Sequence, residues 1–423
     1  MIKIPKIAFV GLSHLSLNYI IAASANNFKV TGFDTQKEII NKLKTNSIIY
    51  DEPKLNESLK KNQSKINFSS NFNDLKKFDL IFLGKDVKTN SYGKSNLVEI
   101  NRLLKLSIPR ISKNSLLIVL SQIPPGFMRK IKFDKSRLYY QVETLIFGDS
   151  IRRALKPERI IIGSNNKEDK IKKKFQIFLK RFNCPIIQMK YESAELTKIA
   201  INIYLASSIT TTNVLSKVCE KIDANWQDII PALKLDKRIG KSAYIHPGLG
   251  ISGGNIERDI FALRRIVEKE KFFNLLPKSF EKISRLMRDW IFELLKKKSF
   301  IKKDIKLGIL GLAYKAKTNS TKNSVALELI NKLPNDIIVY DPKVKLQKKN
   351  KRFKQVQKVQ EIYKNSKIII IATPWSQFKN ISNYLSYLKK NKSIIIDPYN
   401  LLDSKTFLQN KIRYFSIGKK NVN

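Results

Sequence analysis

Two histidines, His14 and His246, and two cysteines, Cys184 and Cys219, are all that a chain of 423 residues contains. None stands beside another at metal-ligand spacing, so a zinc centre and a disulfide framework have no material to be built from, and no metal is expected. Thiols this sparse suit a reducing cytosol. Acidic residues are also few, 35 against 81 Lys and Arg. Long apolar runs are missing: stretches such as Ile368 to Ala372 fall far short of the roughly 20 residues a membrane-spanning helix needs. The N-terminus enters an apolar strand pattern at Ile7 to Val10 without the charged and apolar regions of a signal peptide. A cytoplasmic protein is the expectation.

The charge imbalance leaves a formal +46, which by itself points to a polyanion partner such as nucleic acid or an anionic membrane. The cations are scattered, however, and they accompany abundant Asn and Ile, the trio expected from AT-rich coding. Short clusters such as Lys172 to Lys174, Lys296 to Lys298 and Lys348 to Arg352 read first as solvated faces and second as phosphate contacts. No aromatic-interleaved basic motif accompanies them. A nucleic-acid or membrane partner is therefore the disfavoured alternative.

What is present is organisation. The chain exceeds the size at which one hydrophobic core keeps growing, so several domains are expected. Short β-rich runs at Ile7, Lys29, Leu80, Leu116 and Arg159 alternate with helical patterns up to about residue 190. Continuous apolar strands separated by amphipathic segments indicate a parallel sheet covered on both faces. From Glu192 to Ile222 the sequence lacks Gly and Pro and is apolar over its middle, which predicts one helix roughly 45 Å long that needs cover on more than one side. Strand patterns resume at Leu307, Ile337, Lys367 and Ser393. The fold class is α/β: two doubly wound Rossmann-like domains (1–190 and 301–423) joined by a central α-helical dimerisation domain (191–300).

Gly11 closes the first strand and Asp34 the second, a separation suited to a dinucleotide site in which the acid accepts the ribose hydroxyls and favours NAD over NADP. Around them, motif after motif resembles the UDP-glucose/GDP-mannose (nucleotide-sugar 6-) dehydrogenase family. GLSHLSL at Gly11 is similar to GxGYVGL, with Ser13 and Ser16 at the second and third glycines. Ser121 to Gly126, SQIPPG, resembles STVPxGT, and QVETLIFG at Gln141 resembles NPEFLxEG, with Glu143 retained and Phe147 at the second Glu. AELTKIAINIYLA at Ala194 resembles AExxKxxxNxxLA, which puts Lys198 and Asn202 on one helical face. DKRIGKSAYIHPGLGISGGNIERD, from Asp236, carries the family's RIG and PGxGFGGSCFPKD elements, with Asn255 at the position of the nucleophilic Cys and Arg258 at that of a Lys. GLAYKAKTNSTKNS at Gly311 resembles GLAFKxxTDDxRES, and Tyr399 stands where VxDGRNxxD has its Arg.

The resemblance implies an NAD-dependent oxidation of the C6 alcohol of a UDP- or GDP-sugar. It assigns catalysis to Lys198, Asn202, Asp259 and Glu143, with Asn255 marking the missing thiol. The cofactor contacts it implies are Gly11, Ser13, Ser16, Asp34, Ser121, Arg258 and Lys322, and the substrate contacts are Arg238, Tyr244, Gly248, Gly250 and Lys315. A homodimer through the long helix is also implied. Without the thiol that traps the aldehyde, the reaction either stops at the aldehyde or oxidises its hydrate. A catalytically silent paralogue that binds nucleotide-sugar or a partner dehydrogenase remains open, as does a surface-binding role driven by charge.

Overall fold

The structure is a computed structural model and describes residues 4–45, 47, 50–87, 89–90, 95–346 and 353–420; the cluster Lys348 to Arg352 lies outside these. The chain forms two compact units, Met1–Ile201 and Asn202–Asn423.

The first unit is built on eight strands: β1 (Ile7–Val10), β2 (Val30–Phe33), β3 (Ile66–Ser69), β4 (Leu80–Leu83), β5 (Leu116–Val119), β6 (Leu138–Gln141), β7 (Ile160–Ser164) and β8 (Ile186–Lys190). Their order is β3-β2-β1-β4-β5-β6-β7-β8. β1, β4 and β5 are buried at every residue because helices cover both faces of the sheet, and this is why they read as unbroken apolar runs. The expectation of a wholly parallel sheet needs one correction: β6 and β7 run antiparallel, with Tyr140 opposite Gly163. β3 and β8, which the apolar pattern does not single out, are the two edges, where one flank needs no cover. The strand order reverses between β1 and β4, the switch point at which doubly wound sheets bind ligands. The helix His14–Ala25 begins there and is buried at every residue but its last.

The helix Tyr191–Ile222, 32 residues long, carries the chain from the first unit into the second. The second unit contains the helices Trp226–Leu235, Asn255–Ile266, Leu275–Arg288 and Trp290–Lys297 and a six-stranded sheet: β9 (Leu307–Leu310), β10 (Ile337–Tyr340), β11 (Lys354–Gln355), β12 (Ile368–Ile371), β13 (Ile394–Ile396) and β14 (Arg413–Phe415). The order is β11-β10-β9-β12-β13-β14, and all neighbours are parallel. Trp290, Ile291 and Leu295 share the core of this sheet, so the preceding helices are anchored on it. Trp226 N–H donates to the Gly418 carbonyl at 2.8 Å, a second tie between helices and C-terminal chain. No described helix is long and apolar enough to cross a membrane.

Candidate active site

In the first unit Gly11 adopts φ +86°, and a Cβ there would stand 3.0 Å from Leu103 Cδ1 and 3.2 Å from Lys85 Cβ, so the turn after β1 requires glycine. Asp34 follows β2 and is 1% exposed. Its Oδ2 accepts the Leu12 N–H at 2.8 Å and its Oδ1 the Gln36 N–H at 3.0 Å. Lys85 Nζ lies 3.2 Å from the same Oδ2. The acid is thus tied to the turn and already faces a cation.

Ser13 and Ser16 act differently from the glycines they replace. Rather than leaving open backbone, both hydroxyls donate to the Gly84 carbonyl, at 2.7 and 2.6 Å, stapling the start of the first helix to the end of β4. Ser121 is directed to the same segment, its hydroxyl donating to the Lys85 carbonyl at 2.7 Å. At the position of the family's second Glu, Phe147 stacks on the His14 ring with centroids 4.4 Å apart. His14 Nε2 is 2.9 Å from Glu52, whose carboxylate also accepts the N–H groups of Gly148 and Ser150 at 3.0 and 2.9 Å. Burial works to raise the pKa of Glu52, but its bonds to His14, Gly148 and Ser150 together outweigh that and hold it below the ordinary carboxylate range.

Near the N-terminus of the long helix, Lys198 Nζ sits 3.1 Å from the Glu143 carboxylate, with side chains 11% and 16% exposed. Two more sequence-predicted residues are thereby brought together, and Glu143 is no free strand-end acid. One turn earlier, Glu195 is fully buried and its carboxylate accepts the Gly126 and Met128 N–H groups at 2.6 and 2.8 Å. Burial pushes its pKa up despite those bonds. The Pro124-Pro125-Gly126 turn is therefore clamped by the helix that carries Lys198.

In the second unit the Asn202 amide donates to Asp259 Oδ2 across 57 residues of sequence, and Asp259 is 2% exposed. Arg258 Nε approaches the other oxygen at 3.4 Å. Asn255 opens the helix Asn255–Ile266 directly after Gly253 and Gly254, both in left-handed conformation. A Cβ on Gly253 would fall on the Tyr314 ring, and one on Gly254 would be 2.9 Å from Lys322 Cε and Nζ. The Gly311 to Ser324 segment is thus laid along the loop that precedes Asn255. Lys315 holds its ammonium 5.6 Å from the centre of the same Tyr314 ring. Tyr399 occupies space above Gly248, 3.0 Å from where a Cβ would stand, and donates its hydroxyl to the Ala372 carbonyl at 3.1 Å. Gly248 N–H is fixed by Asn213 Oδ1 at 3.0 Å, and Gly250 abuts Ser284.

Tyr244 contributes its carbonyl, which accepts the hydroxyls of Ser208 and Thr212 at 2.9 and 3.2 Å. Arg238 stays apart from these groups: it pairs with Asp236 at 2.6 Å and its side chain is 90% exposed. Cys219 is buried, with its thiol pushed up by burial, and offers no replacement nucleophile. Among the described residues no three His, Cys, Asp or Glu side chains cluster as metal ligands.

Three family models match the chain in sequence order. They describe the UDP-glucose/GDP-mannose dehydrogenase family: its NAD binding domain over residues 5–181, its central domain over 192–285 and its UDP binding domain over 308–404. The chain belongs to the UDP-glucose/GDP-mannose dehydrogenase family. It is 30% identical over 442 residues to the UDP-glucose 6-dehydrogenase of Rickettsia conorii, covering 98% of this chain and 99% of that one. The UDP-glucose 6-dehydrogenase of Rickettsia prowazekii matches at 29% over 440 residues, with the same coverage. In fold, this dehydrogenase is similar to a UDP-glucose dehydrogenase from Pyrobaculum islandicum (TM-score 0.80, 23% identity, 89% of this chain and 91% of that one). It is also similar to a UDP-D-ManNAc dehydrogenase from Pyrococcus horikoshii (TM-score 0.82, 22% identity, 99% and 100%).

As a member of this family the chain is an NAD-dependent nucleotide-sugar dehydrogenase with a nucleotide-sugar-binding C-terminal domain. The first unit fits NAD on its own geometry, since Gly11 has the positive φ of a dinucleotide turn, the helix after it starts at the switch point, and a buried Asp ends β2. Sequence reasoning missed Lys85, Glu52, Glu195 and Asn213. For Lys85 the available signal is its place immediately after the strand that neighbours β1.

Proposed function

We propose that this dehydrogenase oxidises the C6 alcohol of a UDP- or GDP-sugar and that Asn255, by removing covalent capture, either stops it at the aldehyde or leaves a second oxidation only through the aldehyde hydrate. Lys198 and Asn202, four apart on one continuous helix, stabilise negative charge on the sugar oxygen as it loses its proton. The observation that carries this reading is the Lys198–Glu143 pair at 3.1 Å, a lysine held in a nearly buried position by a single acid. An ammonium so held is preorganised for an oxyanion, and Glu143 fixes its orientation. Asp259, bonded to the Asn202 amide, fixes which face of that amide points outward. Bound NAD supplies the hydride acceptor. Gly11, Asp34 and the first turn of the His14–Ala25 helix would hold it.

Asn255 has no thiol, and a carboxamide nitrogen is a poor nucleophile, so covalent capture of the aldehyde is not available at that position. Gly248, Gly250, Tyr244 and Lys315 are the proposed sugar-nucleotide contacts, together with Arg238 reaching a second copy of the chain. The division into residues 1–190, 191–300 and 301–423, for cofactor, dimerisation and nucleotide-sugar, belongs to the same proposal. The long helix exposes Tyr204 (80%), Leu215 and Val218, apolar surface suited to a homodimer.

The test is incubation of the purified protein with NAD and a panel of UDP- and GDP-sugars, following NADH and sugar mass together. One NADH per sugar and an aldehyde product are expected. Two NADH and an acid would mean oxidation of the hydrate. Ligand binding with no NADH at any sugar would move the chain to a binding-only paralogue.

A further inference from the structure

Gly84, Lys85 and Asp86 follow β4 and run along the loop that opens the first helix. The Gly84 carbonyl receives the Ser13 and Ser16 hydroxyls, and Asp86 N–H donates to Ser13 Oγ at 3.1 Å, so the segment is pinned at its backbone. From there the two charged side chains diverge. Lys85 Cβ and Cδ pass 3.2 and 3.3 Å from where a Cβ on Gly11 would stand, and its ammonium ends 3.2 Å from Asp34 Oδ2. Asp86 is held at the first turn of the His14–Ala25 helix by its bond to Ser13; burial pushes the pKa of its carboxyl up, and the nearby Leu15 N–H and Ser13 hydroxyl draw it back down.

Those two endpoints are the two charged poles of a dinucleotide site. The acid at the end of the second strand receives the ribose hydroxyls, and the helix N-terminus receives the pyrophosphate. Here each pole is already met by a side chain of opposite charge from one dipeptide. A fixed carboxylate at the helix terminus also repels an incoming phosphate, and a cation on Asp34 takes up the lone pairs that ribose hydroxyls would use.

We propose that Lys85 and Asp86 are internal counter-ligands of the NAD site, holding its ribose and pyrophosphate poles until the dinucleotide displaces them. The Lys85 side chain is 17% exposed and Asp86 is open to solvent, so both can swing away without opening the core. The chain in which they have swung away is the binding-competent fraction, and apparent affinity falls in proportion to that fraction. This rests on the NAD-binding role of the first unit. It makes Lys85 and Asp86 determinants of cofactor affinity.

Calorimetric titration of NAD into the full chain, the Asp86→Asn variant and the Lys85→Met variant tests this. Each substitution keeps side-chain size but removes a competing charge, and each is expected to tighten NAD about fivefold, the scale of a partly exposed ion pair. Inorganic pyrophosphate should gain affinity for Asp86→Asn, and adenosine for Lys85→Met. Asp86→Ser and Lys85→Gln serve as a second pair should either variant fail to fold. NAD that binds the variants no better than the parent chain overturns the proposal while leaving the NAD site in place. NAD that binds none of the proteins removes both.

Discussion

Lys198 holds its ammonium 3.1 Å from the Glu143 carboxylate, and the two residues come from different elements, the long helix and the chain just after β6. Removing the cation as Lys198→Met deletes an oxyanion donor and leaves Glu143 with only the Leu145 N–H as its partner. The expected outcome is a kcat lower by about 10²–10³, with KM for the sugar nucleotide changed far less. Steady-state NADH formation checks it, and a loss confined to KM would contradict the assigned role.

Asn255→Cys places a thiol at the start of the Asn255–Ile266 helix, where the helix dipole favours the thiolate. If absence of that thiol limits the parent chain, the variant forms two NADH per sugar where the parent forms one. Equal stoichiometry in both would locate the limit elsewhere.

The staple between Ser16 and Gly84 predicts an intolerant pair. A Cβ on Gly84 would stand 2.4 Å from Ser16 Oγ, so Gly84→Ala forces the serine out of its bond and is expected to cost about 1–3 kcal/mol. Ser16→Gly, which restores the family's residue, loses the bond to the Gly84 carbonyl and places glycine inside a helix. It is expected to destabilise by about 1–2 kcal/mol rather than improve folding. Urea midpoints of the two variants against the parent measure both effects.

Glu52 sets an acid-side dependence. Its pKa is raised by burial but held lower, on balance, by His14 and the Gly148 and Ser150 N–H groups, so the folded form binds the proton more weakly than the unfolded chain. The stabilisation is therefore fully present above the unfolded value of about 4.5 and is lost as pH falls through the lower folded value. Glu52→Gln should flatten this part of the profile. Urea denaturation between about pH 3 and 7 would show a shallower acid limb for the variant; parallel limbs would rule the contribution out.

The exposed Leu215 and Val218 lie on the same helix as Lys198. If the proposed homodimer forms through this helix, Leu215→Glu combined with Val218→Glu should shift the protein to monomer in sedimentation velocity, since carboxylates buried at an apolar interface would have no partner; an unchanged sedimentation coefficient would place any interface elsewhere.

Much of the fold is legible in the sequence alone. β1, β4, β5 and β12 are buried at every residue, and that burial demands the unbroken apolar runs by which they are read. The family resemblance singles out Asn202 and Asp259 separately, although only the fold brings them into contact. What stayed hidden depends on pairing distant in sequence. Lys85 reaches Asp34 across 51 residues because β4 and β2 flank β1, and Glu52 reaches Gly148 across 96. Side-chain direction was equally invisible: nothing local says that the hydroxyls of Ser13 and Ser16 turn to a strand-end carbonyl and not outward.

Glu195 also bears on how this protein can be dissected. Its carboxylate holds the backbone of Gly126 and Met128, and Tyr191, buried just before it, donates its hydroxyl to the Leu138 carbonyl at 2.7 Å. A fragment ending at residue 190, where the last strand stops, would strip the sheet of both anchors and leave the Gly126 and Met128 amide hydrogens without their acceptor. A cofactor-binding fragment meant to stand alone has to keep the first three turns of the long helix, because those turns belong to the domain before them as much as to the helix they begin.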